Sequence, residues 1–426
     1  FLYLLSDKEK ETPPWRLKDS KLEVGVVGAA AQEKAHTQPE HVIHSAKSWL
    51  SHKDLEKDAK ILPWASTGDN QNKYSPKEVT SCYLKHLKWA FESEVDRKVS
   101  WEQTTVFVTV PASFDERARA LTHDAIKESG FLKYQLLEEP QAAFYWWLAE
   151  NEKTWRDKVQ CGDVILICDI GGGTSDFTLI GVAEKKDGSL DLQRLSVGNH
   201  LLLGGDNIDL ALAHLVAEKI SDSQNQELDE WQFANLLSFV RSGKEKLLNH
   251  PEQKKFPISI PSRGSSLRGK TLKCELSQEE LQNLLEEGFF PLTNQDEIPV
   301  QKTSSGLREL GLPYEEEAAV SKHLAAFLQQ SRKNIDSSEE LTSFLHNSKS
   351  LCQENTIVPS HILFNGGVFK SELLRKRVLS LFNHWQPKTN FVCLQGSDLD
   401  LAVTKGATHY GLLKQTKKGV RVRAGT

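Results

Sequence analysis

The residues that could do chemistry are concentrated at positions 169–176, which read Asp-Ile-Gly-Gly-Gly-Thr-Ser-Asp. Consecutive glycines expose backbone amides that no Cβ shields, and such amides bind anionic oxygens. Thr174 adds a hydroxyl donor, while Asp169 and Asp176 place two carboxylates beside the same loop. Two carboxylates repel an anion unless a cation lies between them. The segment therefore predicts a phosphate site that also holds a divalent metal, and Mg²⁺ is the hard ion expected with phosphate oxygens and water.

This segment differs from the familiar nucleotide-binding loops. Residues 169–176 do not have the GxxxxGK[ST] pattern, and Asp176 stands where a GxGxxG loop would need its third glycine. Apolar residues at 164–168 and at 177–180 flank the glycines and favour two strands joined by a hairpin. The prediction is a hairpin-type phosphate loop, and an ordinary tight turn is the alternative interpretation.

Strands and helices alternate around the hairpin, as is typical of an α/β fold. Ser113-Phe114-Asp115-Glu116 has the pattern of a capping box, which predicts that a helix begins there and ends before Gly130. In chain order the other predictions are a helix near 79–92, a strand at 106–110, a strand at 135–137, a helix at 141–148, a turn at Asp187-Gly188, a strand near 190–197, helices from 204 to about 248, a strand at 362–364 and a helix that buries Leu374, Val378, Leu381 and Phe382.

Composition excludes several classes of protein. The 426 residues carry 53 Lys+Arg and 58 Asp+Glu, a net charge of −5, which argues against a nucleic-acid binder. Mean hydropathy is −0.46 and no apolar run approaches the ~20 residues of a bilayer span, so we expect no membrane segment. None of the six cysteines forms a CxxC pair, which favours a reducing, cytoplasmic setting. Methionine is absent, so we expect an N-terminally incomplete sequence.

Several blocks in a consistent order resemble the seventy-kilodalton heat-shock chaperones, the DnaK-like members of the actin, sugar-kinase and heat-shock ATPase superfamily. Besides the hairpin, the blocks are Ser45-Ala46-Lys47, residues 108–114 (Val-Thr-Val-Pro-Ala-Ser-Phe), 138–143 (Glu-Glu-Pro-Gln-Ala-Ala, against Asn-Glu-Pro-Thr-Ala-Ala in the family), 204–209 (Gly-Gly-Asp-Asn-Ile-Asp) and 364–368 (Phe-Asn-Gly-Gly-Val). The resemblance runs from near residue 40 to about 412.

This resemblance implies an α/β fold of the two-lobed, actin-like ATPase (ribonuclease H-like) type. The family's first phosphate loop, Asp-x-Gly-Thr-Thr, does not occur in the sequence, so we expect the fold to be N-terminally incomplete. The first lobe would comprise residues 1–160 with a peripheral subdomain. The second would comprise 161–426, with a helical subdomain near 205–290 and an unmatched insertion near 295–350. Residues 414–426 are basic and read most simply as a solvated tail.

The resemblance also assigns catalytic roles. Lys47 would reach the terminal phosphates of ATP, Glu139 would hold the metal's water shell or the attacking water, and Thr174 would donate to the γ-phosphate. Asp169 would orient water or Mg²⁺, and Asp169, Asp176 and Glu139 would hold the metal mostly through water. Pro111 and Arg119 match the family's relay between nucleotide state and interdomain contacts. Without the resemblance, Lys47 would be interpreted as a solvated lysine, Glu139 as part of a strand end and Arg119 as a helix-surface arginine.

Binding of ATP or ADP would use residues that line the predicted cleft. They are Gly171, Gly172, Gly173, Thr174, Gly204, Gly205, Lys244, Gly366, Gly367, Lys370 and Asp400. The residues expected to clamp the adenine depart from the family, because Glu245 and Lys370 stand where arginines usually stack on the base. Lysine lacks a planar guanidinium, so we expect weaker or differently built base recognition.

The leading hypothesis is a domain that binds ATP and hydrolyses it slowly, and that couples nucleotide state to lobe closure and to a cochaperone or client protein. A non-hydrolysing, nucleotide-responsive interaction module is one alternative. A small-molecule kinase of the same superfamily is another, although the sequence has no sugar-selecting motif.

Overall fold

The computed structural model describes residues 1–6, 9, 25–52, 55–64, 73–95, 98–184, 190–261, 271–299, 312, 314–344, 355–396, 398–416 and 422–423. The strands in these ranges are β1 (Leu2–Leu4), β2 (Gly25–Val27), β3 (Val42–Ile43), β4 (Val106–Val110), β5 (Tyr134–Glu138), β6 (Val164–Ile170), β7 (Ser175–Glu184), β8 (Leu190–Val197), β9 (Lys255–Ile260), β10 (Leu272–Ser277), β11 (His361–Asn365), β12 (Val392–Leu394) and β13 (Val422–Arg423).

The α-helices are α1 (Ala29–Lys34), α2 (Ala46–Leu50), α3 (Pro76–Glu94), α4 (Glu116–Glu128), α5 (Glu139–Glu150), α6 (Trp155–Lys158), α7 (Gly205–Gln224), α8 (Glu230–Asn249), α9 (Gln278–Asn283), α10 (Val320–Asp336), α11 (Glu339–Phe344), α12 (Glu372–Trp385) and α13 (Ala402–Thr416). Short 3₁₀ turns at Pro39–His41 and Gly367–Lys370, and a π turn at Leu284–Phe289, complete the described elements. The α/β class is confirmed.

The largest sheet has six strands in the order β12-β11-β6-β7-β8-β13. Its centre is β6, whose apolar residues are almost completely buried and which pairs antiparallel with β7 and parallel with β11. The antiparallel pairing sets Asp169 opposite Asp176, and the parallel pairing sets Asp169 beside Asn365. Because β6, β7 and β11 meet at this edge of the sheet, both predicted carboxylates and the Asn365-Gly366-Gly367 turn are brought together.

Two smaller sheets belong to the first part of the chain. One has the order β2-β1-β3, and the other pairs β4 with β5 in parallel, so that Val110 lies opposite Glu138. Helix α13 packs against α5 and β4 although it lies far away in sequence. A Cβ on its Gly406 would overlap the carbonyl of Ala142, so only glycine permits this close approach. The division of the chain at residue 160 stays a prediction.

The capping-box prediction at Ser113 was wrong. Helix α4 begins at Glu116 with Asp115 as its N-cap, and the Asp115 carboxylate accepts a hydrogen bond of 2.8 Å from the amide of Ala118. The two candidates are neighbours in sequence and both are good N-cap residues, so local propensity could not separate them. The predicted end of this helix is confirmed, since Gly130 has φ +81°.

Two other predictions need correction. Helix α5 begins at Glu139 rather than at Gln141, because Pro140 is tolerated in a first helical turn, where its missing N–H needs no partner. The C-terminal segment is not simply a solvated tail. Lys414 lies in α13, and Val422 is buried in β13, which pairs in parallel with β8. The Asp187-Gly188 turn and much of the insertion near 295–350 lie outside the described residues.

Among the helices of the described ranges, none is both long enough and apolar enough to cross a bilayer. The described cysteines are free thiols.

Candidate functional site

The glycine loop connects β6 to β7, as the sequence predicted. The amide of Gly171 donates to the carbonyl of Thr174 at 2.9 Å and closes the turn. Gly172 is exposed and its two glycine neighbours are partly exposed, so the loop is not enclosed in the core. In the described part of the chain, the amides of Gly172, Gly173 and Thr174 have no hydrogen-bond acceptor. These three donors are available to an anionic ligand.

The start of helix α7 holds this loop in place. The amide of Gly205 donates to the Gly171 carbonyl at 3.0 Å, and the amide of Asp206 donates to the Gly172 carbonyl at 2.6 Å. A Cβ on Gly204 would lie 2.7 Å from each of the same two carbonyl oxygens. The carbonyls of Gly171 and Gly172 therefore face the start of α7. Gly204 and Gly205 support the loop in this structure, and their direct contact with a nucleotide stays a prediction.

Lys47 and Glu139, which are far apart in sequence, face each other. The Lys47 ammonium lies 2.7 and 2.8 Å from the two Glu139 carboxylate oxygens. Lys47 projects from the short helix α2, and Glu139 is the first residue of α5. Ser48, next to Lys47, lies so close to Gly173 that its hydroxyl would overlap a Cβ there. This close approach brings the lysine helix against the glycine loop.

The electrostatics of Lys47 connect it to the hairpin carboxylates. Burial lowers the pKa of the Lys47 ammonium, but the adjacent Glu139 carboxylate and the other nearby acids raise it, and the net direction is upward. Asp176 and Asp169 act in the same sense as Glu139. The Lys47 side chain is nevertheless 49% exposed, so the ammonium lies in a cleft that water and a ligand can enter.

The surroundings of Asp169 raise the pKa of its carboxyl group strongly. Burial raises its pKa, the negative charge of Glu139 raises it further, and the amide of Asn365, which donates to Asp169 Oδ2 at 2.8 Å, lowers it. The net effect raises the pKa of Asp169 to about 7. Gly366 packs against the same carboxylate, and with φ +88° a Cβ there would lie 2.7 Å from Asp169 Oδ1. The Asn365-Gly366 turn thus supports Asp169 directly.

Asp176 has partners that sequence reasoning missed. Its buried carboxylate accepts a hydrogen bond from the Ser113 hydroxyl, and the His200 ring lies 2.8 Å from the same hydroxyl through Nδ1. Ser113 follows Pro111 in the turn after β4, and His200 lies between β8 and α7. The only sequence signal was that Ser113 is polar, which we interpreted as a helix cap.

A second ionic network joins the loop to α8. The Asp206 carboxylate accepts from the Ser45 hydroxyl at 2.6 Å and from Arg241 at 2.9 Å. The almost fully buried Asp209 contacts both Arg241 and Lys244, at 2.7 Å in each case. Lys244 also donates to the Gly205 carbonyl at 3.0 Å, and it is buried. Lys244 therefore supports the base of α7 here, and its predicted contact with a nucleotide stays a prediction.

Lys370 and Asp400 lie together, 2.6 Å apart, although thirty positions separate them in sequence. Both side chains are exposed, so they are accessible to a ligand. Nearby, between α8 and α12, lies a cleft of about 230 Å³ lined mainly by aliphatic groups, including Leu248 and Leu373. Gly367 is unobstructed, since a Cβ there would have nothing within 4 Å.

The predicted relay residues belong to a connected set of contacts. Pro111 ends β4, and Arg119 on α4 donates to the carbonyl of Phe114 at 2.9 Å and to that of Ala112 at 3.3 Å. Arg119 also contacts the carboxylate of Glu138 at 3.3 Å. Arg119 thus fastens the turn after Pro111 to the residue that precedes Glu139.

The arrangement of acids fits a divalent cation held through water. Burial, together with the negative charges of Glu139 and Asp176, raises the pKa of Asp169, and a nearby cation would relieve the charge repulsion. In the ranges that the structure describes, no three potential ligands lie close enough to enclose a metal by themselves. Carboxylates that are too far apart to enclose a cation directly are compatible with Mg²⁺, which usually retains several of its water ligands.

The chain is similar in sequence to known proteins. A family profile described as Hsp70 protein matches residues 18–303, which include Lys47, Glu139 and the glycine hairpin. The chaperone protein DnaK of Carsonella ruddii (strain PV) is 27% identical over 278 residues, which is 62% of this chain and 44% of that protein. The chaperone protein dnaK of Phaeodactylum tricornutum (strain CCAP 1055/1) is 28% identical over 313 residues, 70% of this chain and 47% of that protein.

The aligned part spans less than half the length of these relatives. The profile match covers more than half of the chain, and the motifs within it form one site in the structure. On these two grounds the chain belongs to the Hsp70 family.

Proposed function

We propose that this chain is the nucleotide-binding domain of a chaperone-like protein, and that it binds ATP with Mg²⁺ and hydrolyses it slowly. The single observation that carries the proposal is the convergence of the Lys47–Glu139 pair, the two hairpin carboxylates and the free amides of the glycine loop. No local property of the sequence requires these groups to meet. A triphosphate is the ligand that uses all of them.

The groups divide the chemistry between them. The amides of Gly172 and Gly173 and the hydroxyl of Thr174 would bind phosphate oxygens, in the way that backbone donors generally hold anions. Lys47 would turn its ammonium from Glu139 toward the terminal phosphate. Glu139 would then be free to accept a hydrogen bond from the attacking water. Such a site works by positioning and charge neutralisation and needs no covalent intermediate.

A metal would be held by Asp169, with Asp176 and Glu139 acting through water, and would supply charge neutralisation on the phosphate oxygens. The bond from Asn365 fixes the orientation of the Asp169 carboxylate. The hydrogen bond from Ser113 does the same for Asp176. Both carboxylates are therefore oriented by the chain before a ligand arrives.

The nucleotide would lie between two lobes, with residues 1–160 in the first and 161–426 in the second. Lys47 and Glu139 belong to the first, and the glycine hairpin, Gly366, Lys370 and Asp400 to the second. Closure on ATP and opening after hydrolysis would be relayed through Pro111 and Arg119 to a cochaperone, a client or a further domain. A cytoplasmic location fits the free cysteines.

The test is a calorimetric titration of the full-length protein with ATP and Mg²⁺, followed by measurement of phosphate release. Binding heat, together with release that is lost in Lys47→Ala and in Thr174→Ala, is expected. Absence of binding heat in the wild-type protein would overturn the proposal.

A non-hydrolysing, nucleotide-responsive module is the second candidate. It is favoured by the buried position of Lys244, whose ammonium pairs with Asp209 rather than facing the cleft. Glu245 adds a negative charge where the family usually places an arginine. Binding heat without phosphate release would select this candidate.

A further inference from the structure

Glu138 lies beside Glu139 but faces a different set of groups. It is the last residue of β5 and the N-cap of α5, so its backbone directly sets the position where Glu139 begins the helix. One of its carboxylate oxygens contacts Arg119 at 3.3 Å, and the other pairs with Arg194. The family block to which residues 138–143 are similar has asparagine at this position. The glutamate carboxylate can neutralise guanidinium charge, which an uncharged amide cannot do.

The two arginines come from different parts of the fold. Arg119 is on α4, and its remaining donors hold the carbonyls of Ala112 and Phe114 in the turn after Pro111. Arg194 is in β8 of the six-stranded sheet, where it lies opposite Ile180. Glu138 therefore joins the turn after β4 to the large sheet through a single carboxylate.

Burial gives this bridge more weight than a surface ion pair would have. The side chains of Glu138, Arg119 and Arg194 are 18%, 31% and 25% exposed. At such exposure the solvent screens charges only in part, and two guanidinium groups that share one carboxylate repel each other once its charge is removed. The loss of charge would thus push the Pro111 turn and the large sheet apart at the point where α5 begins.

We infer that Glu138 is a positioning residue that holds Glu139 against Lys47 by tying the start of α5 to both arginines. This inference rests on the proposed ATPase function. Glu138 does not touch the loop amides or the cleft between α8 and α12, so it should affect the chemical step and leave nucleotide contacts unchanged. A change at Glu138 should therefore alter kcat and not KM.

The experiment compares Glu138→Gln with the wild-type full-length protein in steady-state ATP hydrolysis. The glutamine keeps the shape and removes the charge. We expect kcat to fall by about 10-fold while KM for ATP changes by less than about 2-fold, because only a transition-state arrangement is lost. Glu275→Gln, which breaks an exposed ion pair with Lys255 on the β9–β10 hairpin, is the matched control and should leave both constants unchanged.

Rescue separates positioning from simple damage to the fold. The double variant Glu138→Gln/Arg194→Gln removes one of the two repelling cations, so kcat should recover to within about 3-fold of wild type, a coupling that a double-mutant cycle measures. Hydrogen exchange should rise in peptides 110–119 and 190–197 of Glu138→Gln and return toward wild type in the double variant.

Unchanged kcat in Glu138→Gln, a change confined to KM, or a double variant as slow as the single one would each overturn the inference. If the wild-type protein neither binds nor hydrolyses ATP, the result contradicts the proposed function instead. Hydrogen exchange alone would then decide whether Glu138 couples the turn to the sheet, and unchanged exchange would exclude it.

Discussion

The Lys47 ammonium and the Glu139 carboxylate form a close pair, 2.7 Å apart at the nearer oxygen, across an interface that joins α2 to the start of α5. Ninety-two positions separate the two residues. Glu139 is mostly buried and Lys47 is half exposed, so the lysine can exchange its partner without leaving water. In the proposed function, an anionic phosphate would compete with Glu139 for the Lys47 ammonium.

Replacing Lys47 by alanine should reduce ATP hydrolysis strongly. The variant removes the cation next to the predicted terminal phosphate, and loss of one such charge stabiliser costs about 10²- to 10³-fold in kcat. Phosphate release under saturating ATP measures the effect. Lys57→Ala, which breaks an exposed ion pair with Asp124, serves as control and should retain full activity. Equal rates in the two variants would exclude a role for Lys47 in the chemical step.

Gly366 and Gly367 should respond oppositely to alanine. Gly366 has φ +88° and packs against Ile170 and Asp169, so Gly366→Ala combines backbone strain with overlap. We expect it to lower the free energy of unfolding by about 3 kcal/mol. A Cβ on Gly367 has nothing within 4 Å, so Gly367→Ala should change stability by less than about 0.5 kcal/mol. Urea unfolding of both variants tests this, and similar losses would contradict the described turn.

The raised pKa of Asp169 predicts how stability depends on pH. The folded protein holds this proton up to about pH 7, while the unfolded chain releases it near 3.8. Between these values the folded state binds more protons, so stability falls as pH rises and then levels off above pH 7. From pH 5 to pH 8, Asp169 should cost on the order of 2 to 3 kcal/mol in the nucleotide-free protein.

The measurement is urea unfolding at a series of pH values, without nucleotide or metal, for the wild type and for Asp169→Asn. The asparagine does not titrate, so the variant should gain stability relative to the wild type as pH rises. Parallel pH profiles for the two proteins would show that Asp169 titrates normally.

Lys370→Arg should strengthen ATP binding. A guanidinium is planar and can stack on a base, whereas an ammonium cannot, and such a contact at an exposed site contributes about 0.5 to 1 kcal/mol. The expected decrease in Kd is about two- to five-fold, measured by calorimetry with ATP and Mg²⁺. Lys255→Arg, at an exposed ion pair on strand β9, is the control. An unchanged or larger Kd in Lys370→Arg would place the base away from Lys370.

The local features of the site follow from short-range patterns of amino acids. Apolar runs on both sides of Gly171–Gly173 were sufficient to predict a hairpin between two strands, because hydrophobic pattern and glycine content act over short distances. The order of the motifs was sufficient to identify the family. The end of α4 and the helix that opens at Gly204-Gly205 were predicted for the same local reason, although helix α7 starts at Gly205.

Which side chains meet depends on contacts between segments that are far apart in the chain. The sequence predicts that Ser113 caps a helix. In the structure its hydroxyl instead donates to the carboxylate of Asp176, which is distant in sequence. The sequence predicts that Val422 lies in a solvated tail. In the structure it belongs to a short strand that pairs with the edge of β8. In the sequence Lys244 is an ordinary basic residue. In the structure its ammonium pairs with the buried Asp209 instead of facing the cleft. Charge pairing and strand pairing between distant segments depend on the whole fold, and no local pattern records them.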